Sequence, residues 1–364
     1  MVLFFLAYVV YKMFSTEANP KKKVAIHHEL MTERFIKEFL MERNGLIHTN
    51  LKNTDADVSV PAGEDSLSES LGLWMTYSIE KGDTALFAQS YQALESFFLT
   101  NDDVIAWKIE ENGQQQVTTN ALIDDLRIIG ALLDASERWD ASQYKQTALQ
   151  IGEAVVKHNQ YNGYLTDFYD GNTNQTSNSI TLSYMDMDTI QKLYDYGVVP
   201  KHVFTQMSNL AEEIPDNQIF YPLSYRIVDQ QFVYADEVHM IDQLYIAYHQ
   251  AIQGHVSQPF LLFLKKEIEK GHIYGRYIRN TAEPAVSFES PALYGLAIMY
   301  CLEIGEKETA MKIYDRMQQF KIQDKTNHYV GGFVDMSTGD THIFDNLFPL
   351  LAERMVLNEE LLND

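Results

Sequence analysis

Cysteine is almost absent from this chain: Cys301 is the single one among 364 residues. No internal disulfide and no thiolate zinc cluster can be built on it. Set among Leu296, Ile298, Met299 and Tyr300, it reads as core filler rather than a nucleophile. Basic residues are scarce as well, 28 Lys and Arg against 51 Asp and Glu, a formal net charge of −23. A field of that sign repels nucleic acid and polyanionic substrates, and leaves neutral or partly cationic sugars open. The motif His-Glu-x-x-His is missing, and His27, His28, His239 and His249 have no metal-triad spacing, so neither a metal nor a cofactor is expected. The apolar run that opens the chain, Met1 to Tyr11, falls short of the ~20 residues of a spanning helix. With Lys12 and the basic stretch Lys21-Lys22-Lys23 after it, residues 1–23 read as a membrane anchor or signal segment, with no small-residue cleavage site. The protein is therefore expected outside the cytoplasm, membrane-anchored or secreted. No low-complexity linker follows, so residues 24–364 are expected to form one domain.

What the chain has in quantity is apolar and aromatic surface: 46% hydrophobic residues, with 22 Tyr and 19 Phe. That excludes disorder and permits a large core. Apolar residues recur at intervals of three and four. In the fourth segment Leu122, Leu126, Ile129 and Leu133 form one stripe, and in the eighth Ile241, Leu244, Tyr245, Tyr248 and Ile252 do so. The spacing predicts twelve helices, near 27–43, 66–80, 84–99, 121–137, 141–158, 186–196, 202–213, 236–253, 258–270, 290–304, 307–319 and 343–357. Between the seventh and eighth, alternating residues around Asp229-Gln230 predict a small β-hairpin within 214–235. Twelve helices joined by short and long loops point to an all-α (α/α)6 toroid, six inner helices ringed by six outer ones, with a cleft among the long loops of one rim.

Acidic residues fall at the starts of the even-numbered helices: Glu69, Asp124 with Asp125, Asp186 with Asp188, Asp236, Glu289 and Asp345. Each one alone is explained by the preference for acids at helix N-termini. Together they would ring one face of the toroid with carboxylates. Glycoside hydrolysis needs such a set, because one carboxyl must stay protonated for the leaving oxygen while another ionises to activate water or attack the sugar. Crowded like charges raise the pKa of one partner, which keeps an acid available near neutral pH.

On these residues the sequence resembles glycoside hydrolase family 8, which includes endo-β-1,4-glucanases, chitosanases, xylanases and the cellulases of bacterial cellulose operons. Asp65-Ser-Leu-Ser-Glu69-Ser-Leu-Gly72-Leu-Trp-Met75 resembles its Ser-Glu-Gly-x-x-Tyr-Gly-Met signature, with Ser70 in place of the Gly. Asn120 to Trp139 resembles its Ala-Asp-x-Asp-Leu block, with Ile123 at the first Asp, and Leu182-Ser-Tyr184-Met resembles its Pro-Ser-Tyr-Leu segment. The resemblance implies Glu69 as general acid and Asp125, with Asp124 beside it, as the group that holds the sugar at the scission point. The family's base lies in a Tyr-Asp-Ala-x-Arg segment. Tyr234-Ala235-Asp236-Glu237-Val238-His239 is the nearest match, which makes Asp236 the leading base with His239 in the place of the Arg, and Asp229 the competitor. Inversion is implied, with the two carboxyls roughly 6.5–9.5 Å apart. Trp107, Tyr184 and Tyr234 are the candidates to stack on sugar rings, and Tyr184 also to anchor the water, whereas Trp74 reads as core. The substrate expected is a β-1,4-linked bacterial exopolysaccharide of glucose or N-acetylhexosamine, turned over in biofilm, with a polysaccharide synthase as a candidate partner. The competing reading is a catalytically inactive polysaccharide-binding or assembly factor on the same toroid. Unsaturated glycuronyl hydrolases and polysaccharide lyases share the toroid but act on polyanions, which the charge disfavours, and no repeating consensus supports a helical-repeat adaptor.

Overall fold

A computed structural model describes residues 28–52, 61, 63–111, 113–115 and 117–362; the N-terminal segment 1–23 and His27 lie outside the described residues. All twelve expected helices are present: α1 (Met31–Phe39), α2 (Ser68–Lys81), α3 (Thr84–Ala93), α4 (Leu122–Trp139), α5 (Ser142–His158), α6 (Met187–Asp195), α7 (Lys201–Glu213), α8 (Met240–Ile252), α9 (Gln258–Glu269), α10 (Pro291–Glu303), α11 (Lys307–Gln318) and α12 (Phe344–Asn358). No helix among the described residues is long and apolar enough to cross a membrane.

The punctuation is local chemistry. Gly82 ends α2 in the left-handed conformation at φ 73°, and Asp83 then caps α3 by accepting from the amides of Ala85 and Leu86, both at 3.1 Å. Asp186 caps α6 and Ser257 caps α9 in the same way, at the amides of Thr189 and Phe260.

The even helices pack on one another in sequence, α2 on α4, α4 on α6, α6 on α8, α8 on α10, α10 on α12 and α12 back on α2, which closes an inner ring. The odd helices pack outside it, as in the (α/α)6 toroid that the periodicity predicts. Of the inner helices, α10 is buried on nearly every side, with its ten residues from Ala292 to Cys301 buried. Cys301 is a free thiol in that core, and Trp74 is 2% exposed. The closest approach in the ring is made by Gly295 on α10. A Cβ there would stand 2.5 Å from the carbonyl carbon of Phe348 and 2.8 Å from the nitrogen of Pro349, inside α12. The ring is tied to its outer layer by buried charge: Glu33 of α1 accepts from Lys81 (2.7 Å) and Tyr77 (2.6 Å) of α2.

The strands are short and sit in the loops. β1 (Ser66–Leu67) pairs antiparallel with β2 (Lys108–Ile109), β3 (Gln160–Tyr161) with β4 (Tyr164–Leu165), and β5 (Tyr169–Asp170) with β6 (Gln175–Thr176). β7 (Ser179–Thr181), β8 (Ser224–Arg226) and β9 (Gln231–Val233) make a three-stranded sheet, of which β8–β9 is the expected hairpin, turning at Asp229-Gln230. β10 (Glu237–His239) pairs with β11 (Arg276–Ile278). This last pair corrects one boundary. The eighth helix starts at Met240 and not at 236, because Glu237–His239 is recruited as a strand.

Gly295→Ala should destabilise the fold by about 1–3 kcal/mol, because the obstructing atoms are backbone and cannot rotate away. The check is the denaturant midpoint, and an unchanged midpoint would remove this contact from the account of ring closure.

Candidate active site

The inner helices present their N-termini to one rim. Ser68 and Asp124, at the starts of α2 and α4, share a hydrogen bond of 2.7 Å, and Ser290 and Asp345, at the starts of α10 and α12, share one of 2.6 Å. Glu69 is the second residue of α2. Its segment is pinned to the aromatic loop beside it, since the amide of Ser68 donates to the carbonyl of Trp107 at 3.0 Å. Trp107, partly exposed, therefore stands at the lip next to Glu69.

Around Glu69 four side chains from three helices interlock. Ser68 Oγ donates to Asp124 Oδ2, Arg127 Nη1 donates to Asp124 Oδ1 (2.9 Å), Arg127 Nη2 donates to the hydroxyl of Tyr245 (2.7 Å), and that hydroxyl donates to Glu69 Oε1 (3.2 Å). Arg127 Nη2 is itself 3.6 Å from Glu69 Oε1. Burial raises the Glu69 carboxyl, the Arg127 charge pulls it back, Asp124 raises it, the Tyr245 hydrogen bond lowers it and Asp242 raises it; the balance is a pKa of about 7, against an ordinary 4.5. Glu69 is thus poised to be half protonated near neutral pH, with a side chain 24% exposed.

Asp242, in the first turn of α8, is the second carboxylate of this constellation. It accepts from Ser183 Oγ at 3.2 Å and lies 4.0 Å from His239 Nδ1. Burial raises its pKa, while His239 and the Ser183 hydrogen bond lower it. Tyr184, next to Ser183, has its phenol pushed up by burial and by the combined charge of Asp124, Asp167, Glu69 and Asp242, so all four carboxylates bear on it. A cavity of about 190 Å³ runs beneath Arg127 and Tyr245 along the ring interior, past His249 to Asp134, Asp188 and Lys192. A larger one, of about 610 Å³, lies over the N-termini of α10 and α12, between Glu289, His342, Asp345 and the apolar Phe320, Phe333 and Met336. Among the described residues no group of three or more His, Cys, Asp or Glu is placed to hold a metal ion.

The structure therefore gathers Glu69, Asp124, Trp107, Tyr184 and His239 as the sequence suggests, and adds Arg127, Tyr245, Asp242, Ser183 and Asp167. It does not gather the others. Asp125 points into the protein: it is 1% exposed, accepts from Asn120 Nδ2 at 2.5 Å within an Asn120–Asn159 network, and is raised well above the usual aspartate range by burial. Consecutive residues on a helix face about 100° apart, which is why Asp124 reaches Glu69 and Asp125 does not. Asp236 is exposed and precedes β10, and its carbonyl accepts from the amide of Arg279. Asp229 is exposed in the β8–β9 turn and is paired with Arg226 at 2.7 Å. The carboxylates whose charge acts most on Glu69 are Asp124 and Asp242. Tyr234, 44% exposed, lies under Arg279, 5.2 Å from guanidinium to ring centroid. The signal for Asp242 was present in the sequence: Ile241-Asp242-Gln243-Leu244-Tyr245 puts an Asp three residues before a large polar side chain, as Tyr-Asp-Ala-x-Arg does.

Linkage gives a test of this environment. The unfolded chain releases the Glu69 proton near 4.5 and the folded chain near 7, so the folded state binds more protons between those values. Stability from this group is accordingly lost as pH rises from 4.5 to 7 and stays lost above. Glu69→Gln should raise Tm relative to the parent protein more at pH 8 than at pH 5, and an equal difference at both would contradict a raised carboxyl.

Comparison with known proteins agrees with the geometry. Residues 7–215, more than half of the chain, match the family described as Glycosyl hydrolases family 8. The "Putative lipoprotein YdaJ" of Bacillus subtilis (strain 168) is 39% identical over 332 residues, covering 91% of this chain and 88% of that protein. Among solved structures, one described as a novel alpha-amylase from Clostridium perfringens superposes with a TM-score of 0.80 at 26% identity, covering 92% of this chain and 99% of that one. PssZ from Listeria monocytogenes gives 0.72 at 27%, covering 90% and 96%. The endo-beta-1,4-glucanase CMCax from Acetobacter xylinum gives 0.62 at 16%, covering 91% and 99%, a likeness of fold. With its toroid and this match over more than half of its length, the chain belongs to glycosyl hydrolase family 8.

Proposed function

We propose that the protein is an inverting, endo-acting glycoside hydrolase that cleaves a β-1,4-linked bacterial exopolysaccharide, a glucan or an N-acetylhexosamine polymer. The observation that carries the reading is Glu69, a carboxyl held at a pKa of about 7 on an exposed rim beside an ionisable partner. In this mechanism Glu69 gives its proton to the glycosidic oxygen as the bond to the anomeric carbon breaks. Asp242 takes a proton from a water whose oxygen attacks that carbon from the opposite face. Asp242 is favoured over Asp236 and Asp229 because of the three it acts most on Glu69 and is held by a hydrogen bond from the segment that carries Tyr184. Asp124 holds the site's cation, and Trp107 and Tyr184 are the aromatic surfaces for sugar rings.

The lipoprotein name of the Bacillus relative and the apolar residues 1–11 support an extracytoplasmic, membrane-anchored protein. Turnover of biofilm matrix, beside the synthase that makes the polymer, belongs to the same proposal. The similarity to a protein described as an alpha-amylase favours a second substrate reading, an α-glucan. An inactive binding factor is the reading that a paired acid and base speak against.

The test is reducing-sugar release from β-glucans, chitosan, an N-acetylhexosamine polymer, starch and biofilm matrix. Release from one of the β-linked polymers is expected, and it should fall by at least about 100-fold in Glu69→Gln and Asp242→Asn, with Asp229→Asn and Asp236→Asn close to the parent. Binding without release across the panel would overturn hydrolysis, and release from starch alone would move the substrate to α-glucans. The kcat/KM profile should fall above about pH 7, where Glu69 loses its proton, and below a limb set by Asp242 that lies above the ordinary aspartate 3.8.

A further inference from the structure

A general acid must carry its proton on the oxygen that faces the leaving group, and a carboxyl has two oxygens to choose from. The hydrogen bonds around Glu69 fix that choice. Arginine donates and cannot accept. The contact of 2.7 Å between Arg127 Nη2 and the Tyr245 hydroxyl therefore runs in one direction, with the tyrosine oxygen as acceptor. The single hydroxyl proton of Tyr245 is then free, and the carboxyl oxygen within its reach is Glu69 Oε1 at 3.2 Å. Arg127 Nη2, 3.6 Å from the same oxygen, adds a positive charge on that side. A proton placed on Oε1 would meet a donor, so in neutral Glu69 it resides on Oε2. The one hydrogen bond made to the Glu69 carboxyl among the described residues goes to Oε1, and so does the ion-pair contact of Arg127.

The guanidinium is not free to turn away from this task. Its Nη1 is held by Asp124 Oδ1 at 2.9 Å, and the other oxygen of Asp124 accepts from Ser68 Oγ at 2.7 Å. Ser68 is the residue before Glu69, so the chain of bonds leaves α2 at Ser68 and returns to it at Glu69. Tyr245 is equally fixed. Its ring lies over the Arg127 guanidinium carbon at 5.6 Å and edge-on to Phe348 with centroids 5.9 Å apart. Tyr245 also sits three residues after Asp242, so one face of α8 carries both groups.

We propose that Arg127 and Tyr245 are positioning residues that occupy Oε1 of Glu69 and so keep its proton on Oε2, the oxygen left to protonate the leaving group of the glycoside. This rests on the assignment of Glu69 as the acid. It makes the Arg127–Tyr245 pair a condition of acid catalysis and of no other step. A substrate whose leaving group departs without a proton has no need of it.

Tyr245→Phe tests this with the ring and its packing kept. On the polymer that the parent protein hydrolyses, kcat should fall about 10–100-fold with KM within about threefold, the scale of a misplaced proton donor. On a 2,4-dinitrophenyl glycoside of the same sugar unit the loss should shrink to less than about threefold, because dinitrophenolate leaves unprotonated. The upper limb of the pH profile should move to higher pH, since the lost hydrogen bond lowers the Glu69 carboxyl. Isotope-edited infrared spectroscopy of the Glu69 carboxyl gives the same shift with no turnover, and Arg127→Met should move that midpoint further than Tyr245→Phe. Arg127→Lys, which keeps the charge, should move it less than Arg127→Met. Tyr245→Phe with parental kcat and an unmoved carboxyl midpoint overturns the proposal. Full activity in Glu69→Gln would instead remove the acid assignment itself, so the two failures are told apart by that control.

Discussion

The site depends on one guanidinium. Arg127 is buried on α4 in a region where Glu69, Asp124 and Asp242 bring negative charge together. Without a cation the burial of these carboxyls would drive them all to their neutral forms, since an isolated buried charge costs far more than the fold can supply. Burial also opposes the charge of Arg127, but Tyr245, Glu69 and Asp124 more than restore it, so it stays protonated. The attraction is divided unequally. Asp124 takes a direct contact of 2.9 Å, while Glu69 stands at 3.6 Å and shares a hydroxyl. That half-step of distance leaves Glu69 with enough of its desolvation uncompensated to hold a proton near neutrality. A guanidinium moved closer would pull the Glu69 carboxyl down.

The toroid makes this charge arrangement affordable. Inner helices run with their N-termini on one rim, and each carries the partial positive charge of its unsatisfied amides there. Carboxylates at Glu69, Asp124, Asp242 and Asp345 sit where those fields favour them, and Asp345 accepts the amide of Ala292 on the neighbouring helix outright. Short strands carry the rest of the rim. β1–β2 brings Trp107 against the start of α2, and β10–β11 fixes the chain just before α8. Helices thus set Glu69 and Asp242, and the pairings of a few loop residues set the aromatic lip around them.

Much of this was legible in the residues. Periodicity of three and four located all twelve helices, because each needs a continuous apolar stripe to enter a two-layer ring. The alternation around Asp229 gave the hairpin, and the acid at Glu69 stood out by its place at a helix start. What the pattern could not resolve was the interval between a strand and a helix. Glu237–His239 has residues compatible with either, and its partner, Arg276–Ile278, lies nearly forty positions away. Reading it as helix moved the expected carboxylate of α8 from Asp242 to Asp236. The Asp124–Asp125 pair failed for a different reason. Two adjacent acids at a helix start look equivalent in one dimension, and only the rotation of the helix against α2 sends one to the rim and the other into the Asn120 network. Arg127 was passed over because a lone basic residue in an apolar helix has no motif of its own; its meaning is supplied by Asp124 one turn away and by two residues from other parts of the chain, Glu69 and Tyr245.

That dependence has a consequence for how the site can vary. Ser68, Asp124, Arg127 and Tyr245 form one path of donors and acceptors that begins and ends on the same helix turn. Removing Arg127 leaves Asp124 buried without its cation and leaves Tyr245 free to rotate its proton. Removing Asp124 frees the guanidinium to close on Glu69 and ionise it. Either change is therefore worse than the loss of a single contact, and the effects of two changes within the path should not add. Substitution outside the path is under no such constraint. Ser70, where the family signature has Gly, is buried on α2 and makes no part of the donor chain. The signature after Glu69 can drift while the donor path persists, because Asp124, Arg127 and Tyr245 lie far from Glu69 in sequence.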